Sequence, residues 1–151
     1  MISFENLHAT DLLRLCPEAQ TWGRAEVLRH TAEIMCHVEA EVKIFERDDT
    51  IFAEQDVPVV LLATELAAWR RVAERLRSDY RSSDLQGLEE GAVLIRSDGE
   101  RWCLGSVFAP DGWTRPMSGG DLAALVDSFV QQVISRSRVE LGLDLAPLFG
   151  G

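Results

Sequence analysis

The clearest pattern in the chain is a near-strict alternation of apolar and polar residues between Ile34 and Phe45. One parity is apolar and comprises Ile34, Cys36, Val38, Ala40, Val42 and Ile44, while the other comprises Met35, His37, Glu39, Glu41 and Lys43. A period of two predicts a β-strand that buries one face and turns a charged face toward solvent or a partner. We expect a turn at Asp48-Asp49 and a returning strand over Thr50–Glu54, with several registers open.

Two later segments repeat their apolar residues at helical spacing and predict long amphipathic helices. The first covers about residues 57–78, with Asp56 as its candidate cap and Pro58 in its first turn. Its sheet-facing residues are Leu62, Leu66, Trp69, Ala73 and Leu76, and its outer residues are Arg70, Arg71, Glu74 and Arg77. The second covers about residues 119–141, between a capping motif at Ser118–Asp121 and a stop at Gly142.

A second hairpin is predicted by the dipeptide Asp98-Gly99, which is typical of a two-residue type I′ turn. That turn pairs Ser97 with Glu100 and sets Arg96 opposite Arg101. The residues that it brings onto one apolar face are Val93, Ile95, Trp102 and Leu104.

The two ends of the chain are less regular. Residues 1–7 fit a short strand, and Thr10 is a candidate cap for a short helix that ends near Pro17. Residues 20–33 leave helix and strand both open, and the tail 143–151 is expected to dock on the body. The order of elements lacks regular β-α alternation and indicates an α+β fold in a single domain, residues 1–151. We predict a mostly antiparallel sheet built from two hairpins, with the two long helices on one face.

Composition adds a charge asymmetry to this picture. The 151 residues include 25 acidic and 15 basic ones, for a net charge of −10. Nucleic acids and anionic membranes attract basic surfaces, so we expect neither as a partner. Between Glu33 and Asp56, eight acidic residues accompany two basic ones, a net charge of −6. The acidity therefore concentrates on the first predicted hairpin.

Targeting signals are the next consideration. The N-terminus has no cationic stretch followed by an apolar run, so we expect no signal peptide. The longest apolar run, Val57–Ala63, is too short to cross a bilayer. The three cysteines, Cys16, Cys36 and Cys103, form no C-x-x-C pair and cannot all pair with one another. Reduced thiols predict a cytoplasmic protein.

The most enzyme-like pattern is Glu39-x-Glu41-x-Lys43, whose side chains share one face of the predicted strand. It resembles the core of PD-(D/E)xK nucleases, in which carboxylates hold Mg²⁺ and a lysine helps to position the attacking water. The sequence has no preceding Pro-Asp pair and no helix-borne Glu to complete that core, and its surroundings are acidic where a phosphate backbone would approach. We keep a metal-dependent phosphodiesterase or similar hydrolase as the alternative to a partner-facing strand.

Motifs for other chemistry are missing. His30, Cys36 and His37 lie close in sequence, but no C-x-x-C or H-E-x-x-H spacing occurs. Cys36 and His37 also point to opposite faces of the predicted strand. No G-x-S-x-G segment marks a nucleophile. We therefore predict no catalytic residue, no metal ligand and no cofactor.

Trp113 and Arg115 lie in a predicted loop rich in turn residues, 110–116. A loop Trp beside an Arg is typical of an interface hot spot. The other interpretation, a Trp that folds back over the sheet edge, stays open.

The order of segments in the middle and end of the chain carries a family resemblance. Glu54–Ala63 leads into the helix with Trp69, and Gly105–Phe108 follows the second hairpin before a capped amphipathic helix. Over about residues 34–141, this order resembles small uncharacterised actinobacterial proteins, some of them similar to immunity proteins of polymorphic toxin systems. The resemblance implies a compact, cytoplasmic α+β domain that blocks a toxin by binding it, and it implies no catalytic residue.

The preferred hypothesis is a non-enzymatic acidic binding protein whose exposed sheet face meets a basic protein, such as a toxin domain. The predicted partner-binding residues are His37, Glu39, Glu41, Lys43, Asp48, Asp49, Trp113 and Arg115. The alternatives are the hydrolase described above and a structural homo-oligomer that pairs through the same face.

Overall fold

Three antiparallel strands form the first sheet of the computed structural model, which describes residues 1–76 and 78–150 without the side chains of residues 74–76. The strands are β1 (Ile2–His8), β2 (Glu39–Glu46) and β3 (Asp49–Pro58), and they lie in the order β1-β2-β3. The predicted N-terminal strand and first hairpin are therefore confirmed. The hairpin turn lies at Arg47-Asp48, one residue earlier than expected, and β3 registers Phe52 inward opposite Ile44.

The segment that precedes β2 is helical, and this corrects the predicted strand start at Ile34. Helix α1 (Thr10–Leu15), helix α2 (Arg24–Arg29) and helix α3 (Thr31–His37) all come before β2. Ile34 and Val38 are fully buried and lie four positions apart, so their apolar pattern fits a helical turn as well as a strand. Cys36 and His37 therefore belong to a helix.

The short N-terminal helix is confirmed, but its predicted cap is wrong. Thr10 is the first residue of α1, and the cap position is Ala9, whose side chain has no oxygen to accept a hydrogen bond. The open choice for residues 20–33 is decided in favour of helix, through a 3₁₀ turn at Ala19–Thr21 followed by α2 and α3.

Both long predicted helices are present. Helix α4 spans Val59–Leu76 and helix α5 spans Gly119–Arg136. The predicted inward residues of α4 are buried: Leu62, Leu66, Trp69 and Ala73. The expected orientations of Glu74, Leu76 and Arg77 fall outside the described side chains. Asp56 and Pro58 belong to the end of β3 and do not cap α4 as predicted.

The predicted ends of α5 are confirmed. Ser118 Oγ accepts a hydrogen bond from the backbone N–H of Asp121 at 3.1 Å. At the other end, the helix continues as a π-helical turn, Ser137–Leu141, and stops at Gly142 with a left-handed φ of 70°. The tail then docks as expected, because Leu143 and Leu145 are buried.

A second antiparallel sheet follows α4, where the sequence had predicted an extension of the first. Its strands are β4 (Tyr80–Arg81), β5 (Leu94–Ser97), β6 (Arg101–Ser106), β7 (Ala109–Trp113) and β8 (Met117–Ser118). The order is β4-β5-β6-β7, with β8 also pairing with β6. The fold is α+β with antiparallel sheets, as predicted, but the described residues form two sheets, and the short helices α2 and α3 accompany the predicted α1.

The predicted register of the second hairpin is wrong by two residues. Ser97 pairs with Trp102 and Arg96 pairs with Cys103, so the expected Arg96–Arg101 pair does not form. A type I′ turn requires positive φ at both central residues. In the described chain Gly99 has a φ of 90°, whereas Asp98 is not among the residues with positive φ. Because a shift of two keeps each side chain on its face, the predicted apolar patch is still buried.

Helices α4 and α5 pack against the inner side of the first sheet. Phe4 of β1 meets Phe129 of α5 edge to face, with ring centroids 5.5 Å apart, and α4 packs against β2. On the same side, Trp69 of α4 meets Trp102 of β6 at 5.6 Å and joins the two sheets in one core. On the opposite side, the outward residues of β2 are partly buried and Ala53–Asp56 of β3 are exposed.

Candidate functional site

The outer side of β2 is polar and partly accessible. Ala40, Val42 and Ile44 point into the core, so Glu39, Glu41 and Lys43 point outward, as the alternation predicted. The side chains of Glu39 and Glu41 are 15% and 18% exposed, and that of Lys43 is 37% exposed. The two carboxylates therefore lie in a half-buried setting and not on a freely solvated strand surface.

Two β-bulges, one in each neighbouring strand, explain this setting. In β1 the register moves from Glu5 opposite Glu41 to His8 opposite Glu39, which leaves one extra residue on β1. In β3 a second irregularity lies between Val57 and Glu54. Each contains a residue with left-handed backbone, Asn6 and Asp56, both at a φ of 53°. Asn and Asp tolerate this conformation better than other residues with side chains, and bulges of this kind redirect side chains.

The Glu41 carboxylate has two polar partners, Asn6 in the first bulge and the cation Lys43. Asn6 Nδ2 donates a hydrogen bond to Glu41 Oε2 at 3.1 Å. Lys43 Nζ lies 3.4 Å from the other carboxylate oxygen, Oε1. The lysine and the second glutamate of the Glu39-x-Glu41-x-Lys43 pattern are thus engaged with each other.

Glu39 lies in a different set of contacts, centred on His8. His8 Nε2 is 3.0 Å from Asp56 Oδ1 and 3.8 Å from Glu39 Oε2. His8 comes from the end of β1 and Asp56 from the bulge in β3, so two outer strands converge on the first residue of the central strand. The exposure of His8 and Asp56, 38% and 70%, leaves this cluster open to solvent.

A second pair of side chains approaches Glu39 from the helices. The ligand-type atoms of Asp11, His37 and Glu39 all lie within 4.8 Å of one another. His37 was predicted to share the strand face with Glu39. His37 approaches Glu39 instead from the last turn of α3. The two side chains are therefore close together, as predicted, but because a helix places His37 there and not because they share a strand face. We call His8, Asp11, His37, Glu39 and Asp56 the His/carboxylate cluster.

Burial raises the pKa of the Glu39 carboxyl above its ordinary value. The negative charges of Asp56 and Asp11 raise this pKa further, while His8 and His37 oppose the shift. The cluster therefore brings two exposed carboxylates, those of Asp11 and Asp56, close to the largely buried carboxyl of Glu39.

The remaining predicted site residues lie elsewhere. Asp48 and Asp49 are exposed at the turn of the first hairpin. Glu46, at that end of β2, is seven residues from Glu39, or roughly 23 Å at about 3.3 Å per residue. The structure does not bring the two turn aspartates together with the cluster.

Trp113 ends β7 and is not in a loop, which corrects the prediction. Its indole Nε1 donates to the carbonyl of Pro110 at 3.1 Å, and its ring lies against Gly105 of β6. The Arg96 guanidinium is 4.7 Å from the centroid of the ring. Trp113 thus folds back over the sheet, the second of the two interpretations that the sequence left open.

Arg115 connects the two sheets. Its backbone N–H donates to Glu46 Oε2 at 3.3 Å, and its Nε is 3.8 Å from Glu46 Oε1. The side chain is 63% exposed. Arg115 therefore lies at the Asp48-Asp49 end of the first sheet, away from the His/carboxylate cluster.

These features define an α+β protein whose first sheet has an acidic, partly exposed outer face. The chain belongs to the family described as a domain of unknown function, DUF7878, whose model matches residues 23–136. His8 and Asp11 lie before the matched segment, and His37, Glu39 and Asp56 lie within it. No curated protein and no solved structure matches the chain. Among the helices described, none has the length and apolar character needed to cross a membrane.

Proposed function

We propose that the protein is a non-enzymatic binding protein that uses the partly exposed outer face of its first sheet to bind a basic protein partner. The observation that carries the proposal is the composition of this face, on which Glu5, Glu39, Glu41 and Asp56 accompany one amine, Lys43. Antiparallel sheets commonly pack one side on the core and leave the other accessible, and here the outer side is partly exposed. We call these four acids and Lys43 the acidic face.

The acidic face is only partly neutralised from within the chain. Glu41 has Lys43 as its cation, whereas Glu5 is exposed and has no ion pair within residues 1–76 and 78–150. Carboxylates held on a rigid sheet produce a local negative potential. Such a potential speeds encounter with a basic partner and disfavours acidic ones, including nucleic acids.

The resemblance to immunity proteins supports a toxin domain as the basic partner, with the protein acting as an inhibitor by occupying the partner's surface. We assign this action to the cytoplasm. Cys16, Cys36 and Cys103 are all free thiols, and free thiols are usual in reducing compartments.

The test is affinity purification from the native host with the tagged wild-type protein and with the charge-reversed variant Glu5→Arg/Glu41→Arg. We expect a basic protein to co-purify with the wild type, to dissociate at high salt and to be lost from the variant. Because Arg at position 41 would lie beside Lys43, the milder Glu5→Gln/Glu41→Gln variant is included, and melting curves verify that both fold.

The matched control is Glu89→Arg/Glu90→Arg, which changes the net charge equally at two exposed residues before the second sheet. We expect this control to retain the partner. Equal loss from the control variant would show that overall charge and not the acidic face governs binding. Retention of all partners by the reversed variant would overturn the proposal. So would a wild-type dimer, detected by light scattering, that the reversed variant does not form.

A further inference from the structure

We infer that the His/carboxylate cluster is a binding site for a divalent transition-metal ion of the zinc type. This goes beyond the proposed binding function. The site consists of His8, Glu39 and Asp56, together with a second group of His37 and Asp11 that shares the Glu39 carboxylate.

The two distances from His8 fit a common ion, and the ligand atoms of Glu39 and Asp56 lie within 4.8 Å of each other. Ligand atoms bound to Zn²⁺ at about 2.1 Å are about 3.0 Å apart for an angle of about 90°, and about 3.8 Å apart for about 130°. His8 Nε2 is 3.0 Å from Asp56 Oδ1 and 3.8 Å from Glu39 Oε2. These two separations bracket that of a tetrahedral site, which is about 3.4 Å. An ion can therefore enter with small side-chain movements.

The types of ligand distinguish this cluster from an ordinary acidic patch. Two imidazoles, His8 and His37, approach Glu39 from different elements, β1 and α3. Imidazole nitrogen suits Zn²⁺ and related ions, whereas Mg²⁺ prefers oxygen ligands in octahedral geometry and keeps its water. The mixture of nitrogen and oxygen donors therefore selects for Zn²⁺ over Mg²⁺.

The backbone holds these ligands in position before any ion arrives. Asp56 reaches His8 because its bulge has left-handed backbone, and the neighbouring bulge in β1 brings His8 opposite Glu39. Glu39 is the residue common to both halves of the cluster. Its loss should therefore weaken binding more than the loss of any other ligand.

The test is calorimetric titration of the purified full chain with Zn²⁺ and, separately, with Mg²⁺ at neutral pH. We expect at least one Zn²⁺ per chain, bound at least about 100-fold more tightly than Mg²⁺. Glu39→Gln and His8→Gln should each weaken Zn²⁺ binding at least about tenfold. Melting curves without metal verify that each variant folds.

The matched control is Glu41→Gln, which removes the same charge from the same face of β2, two residues away from Glu39. This variant keeps an amide oxygen for Asn6 and should bind Zn²⁺ as the wild type does. Equal weakening by Glu41→Gln would mean that general acidity attracts the ion, and it would overturn the site. The same control also separates the two proposals, because Glu41 belongs to the acidic face and not to the cluster.

Co²⁺ provides a second readout, because its absorption spectrum reports the ligands directly. We expect visible bands of nitrogen and oxygen coordination without the intense near-ultraviolet band of a thiolate ligand. A thiolate band would place the ion on a cysteine such as Cys36, next to His37 in the chain. That result, or the absence of Zn²⁺ binding by the wild type, would overturn the inference.

Discussion

The indole ring of Trp113 lies directly on the backbone of Gly105, its partner in the pairing of β6 with β7. A methyl group built at Gly105 would be 2.7 Å from Trp113 Cε3, closer than side-chain carbons approach in proteins. Glycine is needed here for space, and its φ is not in the left-handed region. The contact explains why a tryptophan in a turn-rich segment becomes half-buried.

Gly105→Ala should therefore destabilise the protein. The added methyl group must displace the Trp113 ring or shift β7, and overpacking of this kind costs about 1–3 kcal/mol. Denaturant unfolding followed by circular dichroism measures the change. Gly120→Ala is the control, because the nearest atom to its added methyl group lies 3.9 Å away. Equal stability of the two variants would contradict the packing assigned to Trp113.

Ser118→Ala should weaken the start of α5. The serine hydroxyl accepts the Asp121 N–H, which has no partner within the first turn of the helix. Losing a cap of this type costs about 1 kcal/mol. Ser128→Ala, at an exposed position inside α5, serves as the control and should change the stability little. A loss at Ser118 no larger than at Ser128 would argue against the cap.

Glu65 in α4 should be important for stability, because it accepts three hydrogen bonds from the segment that follows the helix. Its Oε1 accepts from Tyr80 Oη and from Ser83 N, each at 3.0 Å, and its Oε2 accepts from Ser83 Oγ. Glu65→Ala leaves these donors unpaired, and we expect a loss of about 2–3 kcal/mol in thermal or denaturant unfolding. Glu65→Gln keeps one acceptor oxygen and should fall between alanine and the wild type.

A different outcome for these two variants would revise the description of the network. If Glu65→Ala unfolds at the same denaturant concentration as the wild type, the three hydrogen bonds make no net contribution to the free energy of unfolding. If Glu65→Gln is as damaging as Glu65→Ala, the negative charge matters more than the acceptor geometry.

Tyr80 should resist ionisation. Burial, the charge of Glu65 and the hydrogen bond to Glu65 all raise the pKa of its phenol far above the ordinary value of 10. Tyr80 is the only tyrosine in the sequence, so the phenolate absorbance near 295 nm reports this group alone. We expect no phenolate signal from the folded protein as the pH passes 10, and a signal that appears only when the chain unfolds.

The same shift gives the sign of the pH dependence of stability. The unfolded chain releases the Tyr80 proton at about pH 10, whereas the folded protein retains it. The stabilisation is therefore fully present below pH 10 and decreases as the pH rises above it. Tyr80→Phe should flatten this alkaline decrease in unfolding measurements. An ordinary phenolate titration in the folded wild type would contradict the buried hydrogen bond.

The regular parts of the fold were predictable because they depend on local periodicity. The alternation over Ile34–Phe45 predicted both faces of β2, although it began the strand too early, and the helical repeats predicted α4 and α5. The predictions fail where one set of apolar positions fits both the period of a strand and the period of a helix. Ile34 and Val38 satisfy a strand and a helix equally, whereas Cys36 between them, which a strand would bury with them, is only half-buried in α3.

The turn chemistry was predictable only in part. Gly99 supplies positive φ in the second hairpin, but Asp98 does not, so the register moved by two residues while each side chain kept its face. The division into two sheets was likewise beyond local patterns, because it depends on how α4 and the Trp69–Trp102 contact join the halves of the chain.

The sequence by itself determined which face of β2 is charged, because a strand has a period of two whatever surrounds it. Only the tertiary structure decided which residues gather around Glu39. His8 and Asp56 are 48 positions apart, and Asp11 and His37 lie on separate helices. No spacing in the chain reports this convergence, since it depends on strand pairing and on two bulges whose left-handed residues redirect the chain at Asn6 and Asp56.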